Sequence, residues 1–141
     1  MASENAGILT KRLADAYFGS GTFNFLLVSS APTEGNLDAY DFRDDIVNEV
    51  ANSGTYSSGG GAVTCTVGTY DSLNNRVAVT FGNPTAWTSA TISAVGGWIY
   101  KVIGSAATDQ LIAFVDFGGT KTSTAGTFTV TFSTPLYVNR A

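Results

Sequence analysis

The side chains able to do chemistry are few: eleven carboxylates, one thiol and no imidazole in 141 residues. Without histidine there is no serine or cysteine triad of the usual kind, no imidazole base, and few of the ligand sets that zinc takes. Cys65 stands in the strand-like run VTCTV, with no histidine to activate it, and reads as a small buried or half-buried thiol. The densest acids are Asp38, Asp41, Asp44, Asp45 and Glu49. On a helix, Asp41 and Asp45 would lie one turn apart on one face, a spacing that can supply an acid and a base or two ligands to a cation, with Arg43 nearby to neutralise one. The same spacing describes acids near the positive N-terminal end of a solvated helix, and that is the reading adopted. A calcium site drawn from Asp109, Asp71 or these acids would need carbonyl ligands as well, and no loop has the regular carboxylate spacing of a dedicated site.

Other motifs fail on context. Asp116-Phe117-Gly118 spells a kinase metal triplet without the glycine-rich loop, strand lysine or His-Arg-Asp loop that give it meaning. The glycine-rich NSGTYSSGGG is followed by a strand pattern and lacks Gly-Lys-Ser/Thr, so it is no phosphate loop. Pro84 disqualifies Asn83-Pro84-Thr85 as a glycosylation acceptor. The expectation is therefore a chain with no catalytic, metal-binding or cofactor-binding residues, not an enzyme.

The elements that would position these residues are mostly strands. WIYKVIGSAATDQLIAFVDFGG, Trp98 to Gly119, has two apolar runs of period two around a polar tip, which predicts a hairpin with at least one central strand. Thr22 to Ser29 predicts a core strand, Ala62 to Gly68 and Arg76 to Phe81 a second hairpin, Thr88 to Val95 a weaker strand, and Thr127 to Phe132 the cleanest alternation. The Thr88–Val95 strand leads through Gly96-Gly97 into the hairpin, and the stretch from Gly118 to Gly126 reads as a polar turn. Phe42, Ile46 and Val50 recur every four residues, predicting one helix near residues 41–50 capped by Asp41. Residues 1–21 read as an N-terminal arm whose Ile8, Leu9, Leu13, Tyr17 and Phe18 would bury against a neighbour or on the domain's own core. After Pro135, Leu136-Tyr137-Val138 forms a short tail that could pair at an edge or reach a partner.

Size and composition agree with this. One domain suffices for the length. Charged residues make up 13% of the chain, about half the usual share. The expected fold is an all-β, antiparallel two-sheet β-sandwich, jelly-roll-like because the cysteine pair of immunoglobulin domains is missing, with an arm (1–21) and a sandwich domain (22–141). Net charge is −4 and the seven basic residues are scattered, which argues against direct nucleic-acid binding. No run has the length of a membrane-spanning helix, and the first residues lack the apolar core of a secretory signal, so a chain made and kept, or assembled, in a cytosol is expected, without a membrane partner.

LDAYDFRDDIVNEVANSGTYSSGGGAVT and the later WIYKVIGSAATDQLIAFVDFGGTKTSTAGTFTVTF together resemble a family of small structural proteins encoded by tailed bacteriophages. The similarity covers roughly residues 22 to 135; FRDDIVNEV and LIAFVDFG are its most specific parts, and residues 1–21 fall outside it. It implies a virion component. The preferred form is a capsid decoration (cement) protein on the outer surface of the major capsid protein shell, assembled in the bacterial host cytoplasm, and no catalytic residue is carried over. A cement protein must add contact area across repeated sites, and self-association at symmetry axes multiplies weak contacts. A dimer or trimer is therefore expected, with Ile8, Leu9, Leu13, Tyr17 and Phe18 of the arm and Tyr137 and Val138 of the tail as contact residues. The alternative is a tail, baseplate or fibre module binding a host receptor or glycan through exposed aromatics such as Tyr56, Tyr70 or Trp87. A two-carboxylate glycan hydrolase is a distant third.

Overall fold

In a computed structural model, which describes residues 6–140, the chain is mostly β, with two antiparallel sheets and few helices. The elements in order are α1 (Gly7–Phe18), β1 (Thr22–Val28), α2 (Glu34–Ala39), β2 (Gly61–Val63), β3 (Cys65–Asp71), β4 (Arg76–Phe81), β5 (Trp87–Val102), β6 (Gln110–Phe128) and β7 (Leu136–Asn139), with a 3-10 turn at Arg43–Asp45. They fall into two compact units. One takes the described residues of Met1–Gly21 and Thr131–Ala141 together with Thr64–Asn83; the other takes Thr22–Val63 and Pro84–Val130.

In the first unit β4 is central, in the order β3-β4-β7. Val77 and Val79 are fully buried. The turn between β3 and β4 is closed by Asp71, whose Oδ1 accepts from the amides of Leu73 (3.0 Å) and Asn74 (3.2 Å), while Asn75 takes a positive φ of 53°. Residues 7–18 are not an extended arm but a helix packed on this sheet. The buried face of α1 is made of small residues, Gly7, Thr10 and Ala14, followed by half-buried Tyr17 and Phe18. A Cβ at Gly7 would collide with the Tyr70 ring, so the close approach of helix to strand depends on that small stripe.

The second unit is a four-stranded sheet ordered β2-β1-β5-β6. β5 and β6 form the expected hairpin, but each strand runs well beyond it: Trp87 pairs with Phe128 at one end and Lys101 with Gln110 at the other. Gly96-Gly97 carries one strand straight through into the hairpin, and the turn expected from Gly118 to Gly126 lies inside β6. Glycine serves close approach at the first: a Cβ on Gly97 would strike the Leu26 carbonyl and the Phe25 ring. At the second, the ladder bulges, since Gly96 pairs with Asp116 and Ala94 with Lys121, leaving residues 117–120 opposite Val95 alone. The strand expected at Thr127–Phe132 stops at Phe128, and the amide of Phe132 instead donates to Asn83 Oδ1 (2.8 Å).

The helix expected near residues 41–50 is absent. Helix α2 lies earlier, started by a capping box in which Thr33 Oγ1 accepts from the Asn36 amide and Asn36 Oδ1 from the Thr33 amide. Residues 40–50 then run extended apart from the 3-10 turn. The acids are the reason: Asp45 Oδ2 accepts from the amides of Asp41 and Phe42 (both 2.9 Å), an alternative to helical bonding. Amides beyond it are claimed by neighbours, Val50 by the Leu27 carbonyl (2.9 Å) and Arg43 by the Asp109 carbonyl (3.0 Å). Ile46 and Tyr40 pack over the buried cluster of Leu26, Val28, Trp98 and Tyr100.

Candidate interaction surfaces

The seven contact residues expected from sequence all fall in the first unit, on α1 and β7. Ile8, Leu9 and Leu13 are exposed (54%, 40% and 57%), with Leu9 and Leu13 one turn apart and Leu13 flanking the buried stripe of α1. Tyr17 and Phe18 are half-buried and face the unit's own core: Phe18 meets Phe81 edge-on at 6.3 Å and Tyr17 meets Phe18 at 4.8 Å. Burial raises the Tyr17 phenol above its usual pKa. Tyr137 is exposed and carries the guanidinium of Arg76 3.6 Å above its ring, while Val138 is half-buried and pairs with Val77. Outward apolar area is thus supplied by Ile8, Leu9, Leu13 and Tyr137.

The acids that suggested chemistry do not converge. Among the described residues there is no group of three or more histidine, cysteine or acidic side chains placed to hold a metal. Glu49 accepts from the Tyr56 hydroxyl and the Ser58 hydroxyl (both 3.0 Å) and from the amide of Gly59. Tyr56, 1% exposed, accepts in turn from the amide of Leu27 (3.0 Å), and Tyr100 donates to the Gly59 carbonyl (2.6 Å). The glycine-rich loop is therefore fastened to β1 and β5 by a polar network. Desolvation, reinforced by the Glu49 charge, pushes the Tyr56 phenol far above its usual range, so it stays a neutral donor. Asp109, 3% exposed, accepts from the amides of Ile103 (2.8 Å) and Gly104 (3.1 Å) and from Arg43 Nε (2.9 Å). Burial raises its pKa, but the two amides and the guanidinium outweigh that and hold it below the ordinary carboxylate value. Asp71 is also held low, first by the Asn74 side chain.

Two of the three aromatics considered for a glycan surface are buried, Tyr56 and Trp87, which meet edge-on at 5.1 Å; the Tyr70 hydroxyl bonds Asn75 (3.1 Å). Tyr40 lines an open cleft of about 290 Å³ with Thr33, Asn36 and Asn48, and the buried Trp98 contributes to its wall. Sequence reasoning missed it because Thr33, Tyr40, Asn48 and Trp98 come together only through the extended path of residues 40–50. No helix among the described residues is long and apolar enough to cross a membrane. Comparison with known proteins finds no matching family model, no similar curated protein and no similar solved structure.

Proposed function

We propose that the chain is a non-catalytic virion structural protein, a bacteriophage capsid decoration protein that binds the outer surface of the major capsid protein shell and stabilises it by non-covalent contacts. The reading starts from the sequence resemblance. The observation that carries it furthest is the outward face of α1, which presents Ile8, Leu9 and Leu13 to solvent while the helix keeps a separate stripe for its own sheet. A helix with two apolar sides has one for folding and one for a partner. Asp45, Glu49 and Asp109 are taken up by main-chain, hydroxyl or guanidinium donors, which favours a structural role for them. A jelly-roll-like sandwich arrangement of the two sheets belongs to the same proposal.

Purified chain mixed with empty expanded capsids is expected to co-sediment at stoichiometric copy number. L9S/L13S should abolish that while leaving the circular dichroism spectrum and Tm unchanged. Binding to host cells without capsid binding would overturn the assignment in favour of the receptor or glycan reading, for which the Tyr40–Trp98 cleft is the supporting feature.

A further inference from the structure

β6 is an edge strand: its one strand neighbour in the sheet is β5. Two features bound what remains open on its outer side. At one end residues 41–43 occupy the position of the next strand, with Phe42 bridged to Gln110, the Leu111 amide donating to the Asp41 carbonyl and the Arg43 amide to the Asp109 carbonyl (both 3.0 Å). At the other, β6 bulges at residues 117–120, where Gly118 and Gly119 take φ of 68° and 136° and have open space around them. Between lies Ile112-Ala113-Phe114-Val115-Asp116, half-buried from Ile112 to Val115, paired with β5 on the inner side and with no strand on the outer side among the described residues. Soluble proteins blunt such edges with lysine, proline, bulges or a covering element; residues 112–115 carry no lysine, proline or cover, and their one irregularity is a single-residue bulge at Ile112, between the pairs Tyr100–Leu111 and Ile99–Ala113.

We propose that this edge pairs with the same edge of a second copy, antiparallel and about a two-fold axis centred on Phe114. Three features select a copy of this chain over a foreign strand. The centred register sets Phe114 opposite its counterpart, Ala113 opposite Val115 and Ile112 opposite Asp116 of the second copy. The two Asp116 carboxylates are thus not opposed, which suits a chain of net charge −4. Next, the two bounds match each other. Beyond Ile112 the position of the next strand is taken by residues 41–43, and there the second copy's strand has reached residue 117 and bulges away. Phe42, 39% exposed, adds apolar area at that junction. Third, the product is closed: an eight-stranded sheet ordered β2-β1-β5-β6·β6-β5-β1-β2, ending on both sides in a strand of three residues. A foreign strand would leave a new open edge in place of the old one. Pairing of this edge needs only the isolated chain, and it holds or fails independently of capsid binding.

The test is sedimentation equilibrium of the full chain at micromolar concentration, with amide hydrogen exchange measured above and below the dissociation midpoint. The expected result is twice the mass of one chain, with exchange at the outward-pointing amides among residues 112–116 at least tenfold slower in the associated form. I112K should be monomeric with an unchanged Tm; should it unfold instead, the wild-type exchange comparison decides. A monomeric wild type overturns the proposal, including the case in which only a foreign strand pairs there. So does a dimer whose exchange at 112–116 is the same as in the monomer, or a folded I112K that remains dimeric.

Discussion

The two oxygens of Asp109 have separate tasks, so two substitutions at this one residue should differ by a predictable amount. Oδ1 accepts both main-chain amides, from Ile103 and Gly104, and Oδ2 accepts Arg43 Nε–H. In Asp109→Asn the amide oxygen can keep the first pair of bonds, while its NH2 group faces the guanidinium, donor against donor. One charge-assisted bond is lost. Because the Arg43 side chain is 23% exposed and can be partly rehydrated, the expected cost is about 2 kcal/mol rather than the larger cost of breaking a fully buried pair. Asp109→Ala also strands the two amides, raising the expected loss to about 4 kcal/mol. Urea unfolding followed by tryptophan fluorescence isolates the effect, since both tryptophans, Trp87 and Trp98, are buried in the same unit as Asp109. The Asp109 carboxyl is held below its unfolded value of about 3.9, so its contribution is complete above that pH and lost as pH falls through the folded value. The gap between wild type and Asp109→Asn should therefore be constant from about pH 7 to 5 and close below about pH 4. Equal losses for the two variants, or a gap that persists in acid, would refute this division of labour.

Tyr56→Phe removes the acceptor of a buried amide and one of the donors to Glu49; a loss of about 2 kcal/mol is expected, with the Leu27 amide losing its protection against hydrogen exchange. Gly60→Ala should be worse tolerated than Gly104→Ala. Gly60 has a φ of 72° and its Cβ would strike the Phe25 carbonyl, so about 3 kcal/mol is expected by thermal melts; Gly104 has open space, leaving backbone strain alone to act.

Strand β1 and the turn of the central hairpin were readable because period-two apolarity and polar tips act locally. Three other features were not, each for its own physical reason. Phe42, Ile46 and Val50 have helical spacing, yet Asp45 caps the main chain of residues 41 and 42, and the carbonyls of Asp109 and Leu27 claim the amides of Arg43 and Val50. Helix α1 hides its packing stripe in Gly7, Thr10 and Ala14, so the large apolar residues that drew attention, Ile8, Leu9 and Leu13, mark the side that does not pack. Gly118 and Gly119 look like a strand end, but a bulge absorbs them and β6 continues to Phe128. The bonds of Arg43 to Asp109 and of the Leu27 amide to Tyr56 join residues far apart in the chain, which periodicity does not reveal.

The interleaving of the two units sets an order of events during synthesis. Helix α1 emerges before any strand of its own sheet; β3 and β4 follow only after β1 and β2, and β7 arrives last of the elements. Until β3 and β4 emerge, a nascent chain carries α1 with both its packing stripe and its outward apolar residues uncovered, and until β5 emerges it carries β1 without its longer partner. Long-range pairings of this kind form slowly and leave apolar surface open to other chains. Solubility while the chain is being made should thus depend on chaperone supply and translation speed far more than the stability of the finished protein does.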